Sequence, residues 1–173
     1  MLLDLIRRKE SGFSGMTFGI MDGVLAVLSI LIGLGSVIDK YAIFSAMMIV
    51  GLADAMANAA GMRVSQETEV RTSKSQIFRS MLFAFMGTFS VVTLLAAPLV
   101  LLDMGAATIV SMILGMSLLC GLGVFVSLRR HYNREKMLRL IAEYVITGVF
   151  IIIVSHALGI VFQNPWVVLW LGK

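Results

Sequence analysis

Five apolar runs, each long enough to cross a lipid bilayer, leave this chain very few folds. A helix of about 20 apolar residues spans the hydrocarbon layer, and the runs fall near residues 13–38, 41–63, 79–102, 105–128 and 138–162. Isolated strands would leave backbone polar groups unpaired in lipid, so each run is predicted to be a helix. Composition agrees: 59% hydrophobic and 14% charged residues, with mean hydropathy +0.97, lie outside the range of soluble domains. The prediction is an all-α membrane protein, a single transmembrane domain over residues 1–173 with five transmembrane helices. No linker, low-complexity stretch or second domain is evident. The connections are short, so successive helices are expected to pack as antiparallel neighbours. The N-terminal MLLDLIRRKESG is polar and lacks a small-residue cleavage site after a short apolar core, so no removed signal peptide is expected. Without a targeting segment, the expected location is a prokaryotic inner membrane, as a multi-pass protein.

The basic residues set the expected orientation. Arg7, Arg8 and Lys9 precede span 1, Arg63, Arg71, Lys74 and Arg79 flank the connection of spans 2 and 3, and Arg129, Arg130, Arg134, Lys136 and Arg139 surround that of spans 4 and 5. These are twelve of the fourteen basic residues, and only Lys40 and Lys173 fall on the other side. Positive charge is retained in the cytoplasm, so the N-terminus is predicted cytoplasmic and the C-terminus outside, with Trp166 and Trp170 at the outer headgroups. The net charge of +4 is thereby a topology signal and no nucleic-acid surface. The one cysteine, Cys120, excludes an internal disulfide and a Cys-rich metal site. No nucleophile–base arrangement, zinc-protease motif or phosphate loop is present, and with only two histidines an enzyme is not expected.

Two acids interrupt the apolar runs, Asp22 in span 1 and Asp54 in span 2. A carboxylate in hydrocarbon costs several kcal/mol unless a proton, cation, water or partner compensates it, so such residues read as functional. Asp22 lies roughly 20 Å beyond Lys9 and Asp54 roughly 14 Å before Arg63 at helical rise, which puts both in the middle third of their spans. The short turn between the spans makes their meeting plausible, subject to the rotation of each helix. Asp54, Asn58 and Met62 recur every four residues and share one face. Carboxylate, amide oxygen and thioether are all metal donors, and the thioether favours transition metals over Mg²⁺ or Ca²⁺. Met81, Glu143, Glu67 and Glu69 fall near the same cytoplasmic mouth. Each has a second reading. Met62 and Met81 can be packing residues, Asn58 an interhelical hydrogen bond, and Glu143 and Glu67 helical partners of Arg139 and Arg71. His156 falls near the outer interface, either releasing a proton or ion there or simply hydrogen-bonded. Gly15, Gly19 and Gly23 form a small-residue stripe on span 1, and Gly51, Ala55 and Ala59 another on span 2. Such stripes let helices approach closely, either between two copies through helix 1 or within one chain.

FGIMDGVLAVLSILIGLG resembles the first helix of the vacuolar iron transporter family, with its Asp-Gly pair before an apolar run. GLADAMANAAGM resembles that family's second helix: Gly-Leu-Ala, an acid, then small residues ending in Met. The resemblance covers about fifty residues well and spans 3 to 5 loosely. It implies a homodimeric exporter moving Fe²⁺ or Mn²⁺ from the cytosol against inward protons, with no permanently bound cofactor. Asp22, Asp54 and Met62 match the family's pathway acids and methionine, and Met81 corresponds to a methionine opening the third helix. The family often has Glu where Asp54 stands and Ser where Gly61 stands. Plant members carry a helical metal-collecting domain between spans 2 and 3, where this chain has a short connection containing Glu67 and Glu69. Competing expectations are a proton- or Na⁺-coupled carrier of another solute, and a non-transporting membrane scaffold or assembly protein.

Overall fold

The computed structural model describes residues 2–35, 38–68 and 73–163, with side chains from residue 12 onward. These residues form five helices and no strand: α1 (Leu2–Leu34), α2 (Lys40–Glu67), α3 (Lys74–Leu101), α4 (Met104–Arg129) and α5 (Arg134–Gln163). All five are long and apolar enough to cross a membrane and fit a multi-pass integral membrane protein. The boundaries differ from the sequence expectation in one systematic way. At the end of the bundle that carries the α2–α3 and α4–α5 connections, here the basic end, α2, α3 and α5 continue past the apolar runs into polar sequence. Nothing halts a helix where its side chains become polar, and caps decide where it ends. Asp39 caps α2 by accepting from Tyr41 N at 2.9 Å and Ala42 N at 3.4 Å. Ser73 and Gln76 close a capping box at the start of α3. At the opposite end, α1 stops at Leu34, short of the expected residue 38.

The central helices are α1 and α3, which pack together more extensively than any other pair. Glycine is the reason. A Cβ at Gly15 would meet the Ser80 carbonyl, one at Gly19 the Ala84 carbonyl, and one at Gly23 would lie 2.9 Å from the Thr88 carbonyl oxygen. Gly87 answers from α3, where a Cβ would come 2.9 Å from the Met16 carbonyl oxygen. Backbone therefore lies on backbone, which only small residues allow in a helix pair held by van der Waals contact. The span 1 stripe is thus filled within the chain. The span 2 stripe faces the same way, with Gly51 against the Val92 side chain. The short α1–α2 connection does bring those helices together, but α2 packs mainly on α3.

A mostly apolar core occupies the half of the bundle away from the basic end, with the buried Ser111 hydroxyl donating to the Leu95 carbonyl at 2.8 Å. Val24, Leu28 and Leu31 of α1, Ile43 and Met47 of α2, Val92 and Leu95 of α3 and Leu119 of α4 are at most 1% exposed. Burying each such side chain removes it from competition with lipid or water and fixes the helices through close packing. Pro98 lies inside the last turn of α3, and its carbonyl accepts from Leu102 N at 2.9 Å. α5 is the most peripheral helix. It is seated on α1 where Gly159 meets the Gly33 carbonyl and where Ser155 Oγ and Ser29 Oγ lie 2.9 Å apart.

Candidate functional site

Four polar side chains from three helices meet at mid-depth. Asp22 lies near the middle of the apolar segment Gly12–Leu34, Asp54 near that of Lys40–Glu67 and Thr88 near that of Lys74–Leu101. Asn58 is one helical turn from Asp54 on α2. Its amide Nδ2 donates to Asp22 Oδ2 at 2.7 Å and to Thr88 Oγ1 at 3.0 Å. One amide thus ties α1, α2 and α3 together just on the basic side of the apolar core. Asn58 is 9% exposed and Thr88 0%, so the bond between them forms in a buried setting, where unmade polar contacts are costly; the bond to Asp22 is part-buried.

The Asp54 carboxyl neighbours that of Asp22. The sequence left helix rotation open, and the structure brings the two acids to one place. Two neighbouring carboxylates repel unless a proton or a cation lies between them. Asp54 Oδ2 is itself buried with no hydrogen-bond partner, one of two such side-chain atoms among the described residues; the other is Thr17 Oγ1. An orphaned buried carboxylate oxygen beside a second carboxylate is a place for a positive guest. The Asn58 amide oxygen makes no hydrogen bond among the described residues, which leaves it available to the same guest. No three His, Cys, Asp or Glu side chains cluster among the described residues. Any cation here would be held by two carboxylates and an amide, all oxygen donors of the kind that hold hard or borderline ions.

The other expected site residues divide. Met62 continues the Asp54–Asn58 stripe one turn toward the basic end and is half-buried. Met81, also half-buried, is seven residues before Thr88 on the same face of α3. Both thioethers therefore lie between the acids and the basic end. Glu67 is exposed and accepts from Arg63 Nε at 2.9 Å, the one ion pair among the described residues. That pairing holds it at the rim, and Arg71 and Glu69 lie outside the described residues. Glu143 is exposed on α5, which packs on α1 and α4, so it does not join the α1–α2–α3 cluster. His156 is exposed on α5 next to the Ser155–Ser29 contact. Thr88 is the site residue that sequence reasoning missed. Its signal was its depth, since it stands as far along span 3 as the acids along theirs.

A five-helix bundle of membrane-crossing length with a two-carboxyl, one-amide site at mid-depth is the class of protein these features define. No protein-family model, no curated protein and no solved structure matches the chain.

Proposed function

We propose that this chain carries divalent transition-metal ions, Fe²⁺ or Mn²⁺, out of the cytosol in exchange for protons. The observation that carries the reading is the buried, unpartnered Asp54 oxygen beside the Asp22 carboxyl at mid-depth. Such a pair is tolerable only with something positive between its members. The basic end faces the cytoplasm on the positive-inside distribution of Lys and Arg. Metal approaches from there past Met81 and Met62, whose thioethers favour transition metals, and is bound by Asp22, Asp54 and the Asn58 oxygen. The apolar core seals the other side of the site, as an inward-open carrier requires. Protons arriving when the site opens outward compete for the same carboxylate oxygens and release the metal. The resemblance of the first two spans to the vacuolar iron transporter family supports the choice of cargo. The same resemblance implies a homodimer. The setting is a prokaryotic inner membrane.

The test is metal flux in proteoliposomes, followed with a metal-quenched dye inside and a pH dye alongside. Wild type moves Mn²⁺ or Fe²⁺ with opposite proton movement, while Asp22→Asn and Asp54→Asn abolish the flux. Undiminished flux in both variants refutes the assigned roles. The bridge from Asn58 to Asp22 and Thr88 favours a second reading, a scaffold in which polar groups only join helices. That reading predicts no wild-type flux, with the same two variants unfolding at lower temperature.

A further inference from the structure

We propose that Thr88 is a positioning residue of the site: its hydroxyl fixes the Asn58 amide so that the Asn58 Oδ1 oxygen faces the cation. The proposal rests on the cation-carrier reading above and adds a third helix to it. Other hydroxyls of the spans are satisfied in two ways: Ser111 donates across helices to the Leu95 carbonyl at 2.8 Å and Ser155 Oγ lies 2.9 Å from Ser29 Oγ, while five bond locally. Thr93, Thr108, Ser117, Ser127 and Thr147 each donate to the carbonyl four residues earlier in their own helix. That is the ordinary way a lone hydroxyl is satisfied in an apolar helix. Thr88 instead accepts, across helices, from Asn58.

The amide nitrogen of Asn58 carries two hydrogens, and both are committed, one to Asp22 and one to Thr88. Two bonds from one planar NH₂ group fix the amide plane as well as its direction. The amide cannot rotate about its last side-chain torsion, and the oxygen is the sole acceptor left over. With Asp22 alone as acceptor, the plane would be free to swing about that single bond and the oxygen would sample several directions.

Thr88 is held as firmly as it holds. It is fully buried, and the α1 glycines close over it. A Cβ at Gly19 would lie 3.0 Å from Thr88 Oγ1, and one at Gly23 3.2 Å from Thr88 Cα. The backbone approach of α1 to α3 therefore serves the site as well as the fold, since a larger residue at either glycine would crowd Thr88. Partners that orient a metal donor in this way typically change metal affinity by about 10–100-fold when removed.

The experiment compares Thr88→Val, which keeps the shape and loses the hydroxyl, with Thr88→Ser, which keeps the hydroxyl. Mn²⁺ binding to the purified full-length protein is measured by electron paramagnetic resonance. Thr88→Val weakens binding about tenfold, and Thr88→Ser stays within about twofold of wild type. A purely structural role would instead lower the unfolding temperature without separating the two variants in affinity. A readout independent of metal accompanies it. The protein has three asparagines, Asn58, Asn133 and Asn164, so ¹⁵N-asparagine labelling gives three side-chain NH₂ pairs, with that of Asn58 assigned by its loss in Asn58→Leu. In Thr88→Val the Asn58 hydrogen facing residue 88 shifts to the position of an unbonded amide, while the one facing Asp22 does not. An unchanged amide pair, or equal Mn²⁺ affinity in Thr88→Val and wild type, overturns the proposal. Absence of Mn²⁺ binding in the wild type defeats the carrier reading instead, and the amide spectrum still decides whether Thr88 orients Asn58.

Discussion

Gly19→Ala is the smallest change that tests whether the glycine contact builds both fold and site. The added methyl would meet the Ala84 carbonyl and lie 2.9 Å from the Thr88 backbone nitrogen. Neither atom belongs to a side chain that can swing aside, so α1 and α3 must separate. Overfilling a packed contact costs about 1–3 kcal/mol. Against this, alanine favours a helix over glycine by about 1 kcal/mol. Gly121 provides the matched control. It lies within α4 with nothing inside 4 Å of its hypothetical Cβ, so Gly121→Ala gains the same propensity without the clash. The difference between the two variants isolates the steric cost, and at about 2 kcal/mol corresponds to roughly 4–8 °C in unfolding temperature for a chain of this size. The assay is thermal unfolding in detergent followed by helical circular dichroism. Gly121→Ala should melt at or above wild type and Gly19→Ala clearly below it. The reasoning is refuted if Gly19→Ala melts at or above Gly121→Ala.

Ser155→Ala removes the hydroxyl contact between α5 and α1. It should lower stability by only about 0.6 kcal/mol and leave metal flux in proteoliposomes unchanged; a large loss of flux would show that α5 has a role in the pathway. Single cysteines at Arg130 and Asp103, in a Cys120→Ser background, should be labelled from opposite sides by a membrane-impermeant thiol reagent in whole cells. Reagent added outside should reach position 103 and not position 130, and the reverse result would invert the expected orientation.

Much of this architecture was legible because lipid imposes length and hydropathy directly on the sequence. The five spans follow from that constraint alone. Their ends did not, because α2 and α5 continue through polar residues to Glu67 and from Arg134. The two acids could be placed at one depth by counting residues, but their meeting depends on helix rotation, which counting does not give. The choice of α3 as the main partner of α1 was hidden for the same reason. A glycine stripe announces a close contact without naming what fills it, and here Ser80, Ala84 and Thr88 fill it. Thr88 was missed because one threonine in an apolar run resembles Thr93, which bonds its own helix. Glu143 shows what depth alone leaves open. It sits at a suitable depth in span 5, yet α5 packs on α1 and α4, away from α2.

The account turns on a pair of carboxyls that requires a cation, and locating that cation tests it most directly. Crystals grown with Mn²⁺ and measured at the manganese absorption edge should show an anomalous peak among Asp22, Asp54 and Asn58, missing in Asp54→Asn. A manganese peak only elsewhere, or none between α1 and α2 at saturating metal, would contradict it.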